Sequence, residues 1–128
     1  NNSSYVCIFT WVLSRGTWKV VVCGDNETNG LKELLTNAEF RTTIADADVF
    51  VTPHHGHNSG YCAELFDAMG SPLCNITSEK QGDESIAQEY SARARGITFK
   101  GQNRHHLTTR HDNHIFMRMN ENLTYLFE

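Results

Sequence analysis

Two short stretches hold residues whose types and spacing could do chemistry. In the first, Gly24-Asp25 comes directly off the apolar run Trp18 to Cys23. In the second, the run Asp48 to Thr52 leaves through Pro53 into His54-His55-Gly56-His57. A carboxylate from one loop and imidazoles from a neighbouring loop are donors that suit Zn, Mn or Fe. A single ion would need at least one further ligand. Two adjacent ions would share the carboxylate and need several. Each stretch alone has an ordinary reading, a plain Gly-Asp turn or a pair of polar loop histidines. Placed at two strand ends, they support each other, because the carboxyl ends of buried strands are where loops converge into sites.

The other candidates are weaker. His105, His106, His111 and His114 flank strand-like runs near the end of the chain, where solvated or hairpin-edge histidines are the expectation. Ser59 and Cys62 sit in no nucleophile elbow, so neither is expected to act as a nucleophile. His57 is expected to be a bystander in its loop.

The elements that must position these residues follow from periodicity. Tyr5 to Leu13 and Trp18 to Cys23 are two β-branched and aromatic runs across a short turn containing Gly16, which predicts a hairpin. Leu31, Leu34 and Leu35 recur at helical spacing within residues 29–37. Asp48 to Thr52 and Pro72 to Thr77 read as short buried strands. Tyr61 to Met69 reads as a helix stopped by Gly70, and Glu84 to Arg95 as a helix ended by Gly96. The remainder reads as strands: Ile97 to Phe99, His106 to Arg110, His114 to Met119 and Leu123 to Phe127, with Asp112-Asn113 and residues 120–122 as turns. The order β-β-α-β-α-β-α-β-β-β predicts an α/β fold, a mostly buried mixed sheet covered by helices with a β-rich C-terminal tail.

The 128 residues suit one domain spanning 1–128, with no repeat or linker. Eleven Lys+Arg against 15 Asp+Glu leave a net charge of −4, which argues against sequence-blind adhesion to nucleic acid through a basic surface. An enzyme that grips phosphate through a metal ion is not excluded by that charge. No apolar run approaches the roughly 18 residues needed to span a bilayer. The four cysteines show no C-x-x-C spacing. Cys7, Cys23 and Cys74 fall within apolar runs, so buried free thiols and a reducing, cytoplasmic setting are expected.

Three motifs, in order, resemble a known family. Asn1-Asn2-Ser3-Ser4 precedes the first apolar run, a strand ends in Gly24-Asp25, and another ends in His54-His55-Gly56. Together these resemble the second half of metallo-β-lactamase-fold hydrolases, in the ComEC-like branch that includes the soluble domain of the DNA-uptake channel. The likeness extends over nearly the whole chain, with Leu107 to Ile115 similar to the family's closing element. It implies a metallo-β-lactamase-type half sandwich. It also implies that Asp25 is the carboxylate bridging two divalent ions, Zn or Mn in a complete site, and that His55 is a ligand of one ion. By the same resemblance His54 stands beside the reacting phosphate or carbonyl, able to hydrogen-bond a developing oxyanion. The implied reaction is hydrolysis by metal-bound hydroxide, with a phosphodiester or nucleic acid as the substrate.

The departures are equally specific. The family signature His-x-His-x-Asp-His, which supplies most of the ligands, is absent from this chain. Where the family tends to carry His-Pro after the strand ending at Ser78, this chain reads Gln81-Gly82-Asp83-Glu84-Ser85. The abrupt apolar opening suggests a missing N-terminal half of the fold as the partner that completes the site. The alternative is a non-catalytic metallo-β-lactamase-like module that binds a partner protein.

Overall fold

Residues 4–78 and 86–128 are described by the structure, a computed structural model. The opening hairpin forms as the two β-branched and aromatic runs across the Gly16 turn predict. Strands β1 (Cys7–Leu13) and β2 (Gly16–Val22) pair antiparallel from Cys7 opposite Val22 to Leu13 opposite Gly16, closing over Ser14 and Arg15. From β2 the sheet continues parallel, through β3 (Val49–Val51) and β4 (Cys74–Thr77) to β7 (His106–Thr108), in the order β1-β2-β3-β4-β7.

Both faces of the parallel strands are covered, which is why their sequences read as continuous apolar runs. On one face Val21 and Phe50 pack against Leu31 of α1 (Thr28–Leu34), Ile44 of α2 (Ala38–Ile44), Leu65, Phe66 and Met69 of α3 (Ala63–Met69), and Tyr90 of α4 (Ala87–Ala92). Phe50 meets the Phe66 ring edge-on at 5.4 Å. On the other face Trp18, Val20, Val49, Cys74, Ile76 and Leu107 pack against a second sheet. That sheet has the order β6-β5-β9-β8 and is built from β5 (Ile97–Phe99), β6 (Gln102–Arg104), β8 (Met117–Met119) and β9 (Tyr125–Phe127). The architecture is therefore α/β in three layers: helices, a mixed five-stranded sheet, and a four-stranded sheet. Among the described residues no helix is long and apolar enough to cross a membrane.

Several expectations are corrected. The helix α2 was not legible, because Thr42, Thr43 and Ile44 form a β-branched run of low helix propensity. Asn37 starts it nonetheless, its side chain accepting from the backbone N–H groups of Glu39 (2.8 Å) and Phe40 (3.3 Å). Strand β6 was missed because Gln-Asn-Arg has no apolar alternation; it forms by reversal at Lys100 and Gly101, both at positive φ. The expected strand His106 to Arg110 ends at Thr108 and turns into α5 (Thr109–Asp112). The cause is Asp112, which takes the Thr108 backbone N–H at 2.9 Å and two bonds from Arg104 at 3.1 and 3.0 Å. The predicted helix Glu84 to Arg95 is observed as α4, with Glu84 and Ser85 outside the described residues. Cys7 is exposed on the outer strand rather than buried, whereas Cys23, Cys62 and Cys74 are buried free thiols.

Candidate metal centre

The carboxyl ends of β2, β3 and β4 bring three loops together. The β2 loop is held by the segment before β1. Asp25 donates its backbone N–H to Ser4 Oγ at 2.8 Å, and the buried Asn26 donates its amide to the carbonyls of Ser4 (3.1 Å) and Cys23 (2.7 Å). Gly24 is required here. It has φ +56°, and a Cβ would stand 2.5 Å from Ser4 Oγ and 3.1 Å from the Tyr5 carbonyl. These bonds fix the backbone while leaving the Asp25 carboxylate exposed.

The β3 loop carries more strain. His54 (φ 46°, ψ 47°) and His55 (φ 61°, ψ 1°) are consecutive non-glycine residues in left-handed conformations, followed by Gly56 at φ 97°. Each such histidine costs about 1–3 kcal/mol and persists only where the surroundings enforce it. Neighbouring loops do enforce it. His54 donates its N–H to the Gly24 carbonyl at 2.8 Å, and Ser78 donates its N–H to the His55 carbonyl at 2.9 Å. The chain then folds back so closely that a Cβ on Gly60 would lie 2.7 Å from the Pro53 carbonyl oxygen.

The side chains converge accordingly. His55 Nε2 lies 3.3 Å from Asp25 Oδ1, and His55 Nδ1 lies 2.9 Å from Ser78 Oγ. The pair is open to solvent, with side-chain exposures of 61% and 58%. Even a charged exposed pair stabilises a fold by only about 0–1 kcal/mol. That is less than the cost of two left-handed histidines, so the pair is not the reason the loop is bent. Beside it, His54 Nδ1 and His57 Nδ1 both reach Ser59 Oγ, at 2.8 and 2.9 Å. Arg110 from α5 closes the rim, donating Nε–H to the Ser78 carbonyl at 3.0 Å.

The predicted residues Asp25, His54 and His55 thus share one end of the sheet, with Asp25 and His55 in direct contact. His57 caps the turn Asn58–Gly60 and bonds Ser59, and Ser59 and Ser78 act as ring partners that no spacing rule singles out. A groove of about 640 Å³ opens at the ends of β3 and β4, lined by Val51 and Ile76 and by Thr109, Asn113, His114, Ile115 and Phe116. Of the other histidines, His114 lines this groove, His106 Nε2 meets Thr77 Oγ1 at 2.7 Å, and His105 Nδ1 meets the Ala94 carbonyl at 2.8 Å.

Asp25 and His55 fit as two ligands of one ion. Bonds of about 2.0–2.1 Å in a tetrahedral Zn site put neighbouring donor atoms about 3.3–3.4 Å apart, the separation these two atoms already have. Ser78 holds the far side of the His55 ring, the outer-shell support that metal-binding imidazoles usually have. Among the described residues no group of three or more His, Cys, Asp or Glu is placed to hold an ion.

No protein-family model matches this chain, and no curated protein or solved structure matches it.

Proposed function

We propose that this chain is the C-terminal half of a metallo-β-lactamase-type hydrolase whose complete site holds divalent ions and cleaves phosphodiesters, nucleic acid among them. The observation that carries the reading is the 3.3 Å approach of Asp25 Oδ1 and His55 Nε2 across two adjacent parallel strand ends, on a loop held in strained conformations. When bound, a divalent ion would lower the pKa of a coordinated water towards roughly 7 and neutralise charge on a phosphoryl oxygen. Asp25 and His55 would hold the ion, Ser78 would orient the His55 ring, and Arg110 is placed to meet an anionic group. The apolar groove beside them would take the uncharged part of the substrate.

A second surface supports a complementary half. Strand β1 is at the edge of its sheet and exposes Phe9 (50%), Trp11 (45%) and Val12 (83%), with no charged residue from Cys7 to Leu13. Such an edge invites another strand. The same feature favours the alternative reading, a non-catalytic module that uses β1 to bind a partner protein. Zinc titration followed by NMR separates the two. The hydrolase reading expects shifts confined to residues 23–26 and 53–59 and 78, abolished by Asp25→Ala and by His55→Ala. An absence of response there at free zinc on the order of 1 mM overturns it and leaves the partner-binding module.

A further inference from the structure

The hydrogen bonds around Ser59 have donors that can be counted, and the count settles a tautomer. The Ser59 backbone N–H points at His57 Nδ1 at 3.2 Å, and His57 thereby caps the turn Asn58–Gly60. A backbone N–H only donates, so His57 Nδ1 carries a lone pair and the proton of the neutral ring is on Nε2. The Ser59 hydroxyl also lies 2.9 Å from that same Nδ1. Two lone pairs at this distance would repel, so the contact is O–H donating to N. The hydroxyl has a single proton, and it is now used. Towards His54 Nδ1, 2.8 Å away, Ser59 Oγ can only accept. His54 must therefore carry its proton on Nδ1.

We infer that Ser59 is a positioning residue that locks neutral His54 as the Nδ1-protonated tautomer, so that His54 offers the Nε2 lone pair to the site as a base or a ligand. The geometry enforces the lock. The His54 and His57 rings stand 5.3 Å apart with Ser59 Oγ bonded to both, and the left-handed backbone at His54 fixes where its ring begins. A Cβ on Gly60 would lie 3.0 Å from His54 Cβ, so Gly60 is what lets this ring sit over the turn. The consequence reverses the role that the family resemblance implies. A neutral His54 of this tautomer cannot donate Nε2–H to an oxyanion; it accepts a proton or binds a cation. The tautomer stands on hydrogen-bond geometry alone, while its use as base or ligand rests on the hydrolase reading.

The test is long-range proton–nitrogen correlation NMR of the imidazoles at about pH 8.5, about two units above the value of a free imidazole. The expected spectrum shows His54 with a protonated, pyrrole-like Nδ1 and a bare, pyridine-like Nε2, the preferred tautomer in about tenfold excess. Ser59→Ala should bring that ratio to near or below one, with the backbone spectrum unchanged outside residues 53–61, and Ser59→Thr should restore it. A pyrrole-like Nε2 on His54 in the unmodified protein, or a tautomer ratio that Ser59→Ala does not alter, overturns the inference. The zinc titration above reads independently. A correct tautomer without a zinc response sinks the hydrolase reading and leaves the lock intact.

Discussion

The two ends of the parallel sheet each present an aspartate, and the two are treated oppositely. At the amino end, Asp48 precedes β3. Its Oδ2 accepts the Lys19 backbone N–H at 2.8 Å, its own N–H and carbonyl bond to Lys19 and Leu73 at 2.8 and 2.7 Å, and Arg95 stands 4.0 Å from Oδ1. The Lys19 ammonium is tied to the Ala45 carbonyl. The Asp48 side chain is only 19% exposed, and burial pushes its pKa up despite these partners. At the carboxyl end, Asp25 spends its backbone on Ser4 and turns a carboxylate that is 58% exposed towards one imidazole. Polar groups at the amino end are consumed by local backbone, which joins elements. At the carboxyl end they are held in place but left with capacity for a ligand.

The sharpest way to break this contrast is to remove each carboxylate in turn. Asp25→Ala should abolish the zinc response at free zinc on the order of 1 mM while shifting Tm by no more than about 2 °C. Asp48→Ala should do the reverse, leaving the zinc response intact and costing about 1–3 kcal/mol in urea unfolding, because the Lys19 N–H loses its acceptor. If the two substitutions behave alike, the division of labour between the ends is wrong.

A smaller effect comes from charge alone. Folded Asp48 holds its proton to a higher pH than the unfolded chain does, because burial raises its pKa. Its contribution to stability is therefore fully present below the ordinary carboxylate value of about 3.9 and is lost as the pH rises through the elevated value. Asp48→Asn keeps an oxygen for Lys19 and removes that loss. Relative to the unmodified protein, the variant should gain stability between about pH 3.5 and pH 6, by less than about 1 kcal/mol. Unfolding curves across that range check the sign.

The smallest perturbation is chemical labelling. Burial pushes the Cys23 and Cys74 thiols up to about 12 and raises Cys62 as well, whereas Cys7 is exposed on β1. A thiol reagent added to the native protein should modify Cys7 within minutes and the other three only on unfolding. Protection of Cys7 would show that the β1 edge is covered in solution, by a second strand of the kind proposed above.

Much of this was legible before any coordinates. The hairpin, β3 and β4 follow from apolar runs bounded by turns, α1 from leucine spacing and α3 from its stop at Gly70, and Asp25, His54 and His55 stand out because each follows an apolar strand. What failed was local chemistry without a pattern. The helix α2 depends on the Asn37 cap overcoming a β-branched run, and α5 on Asp112 bending back to Thr108 and Arg104. Ser59 and Ser78 have the commonest of polar side chains, and nothing in their spacing marks them as ring partners.

The sequence by itself determined that β2, β3 and β4 are apolar strands, that loops follow them at Gly24 and Pro53, and which residues of metal-ligand type wait at those two ends. Only the tertiary structure decided that β2, β3, β4 and β7 lie side by side, that the last strands and β6 form a separate sheet, and that Asp25 meets His55 while Ser59 sits between two rings. The physical reason is that periodicity records which way a side chain faces, a property of its own element. Which loops converge is set by strand pairing between distant segments, and pairing depends on the combined packing of both faces.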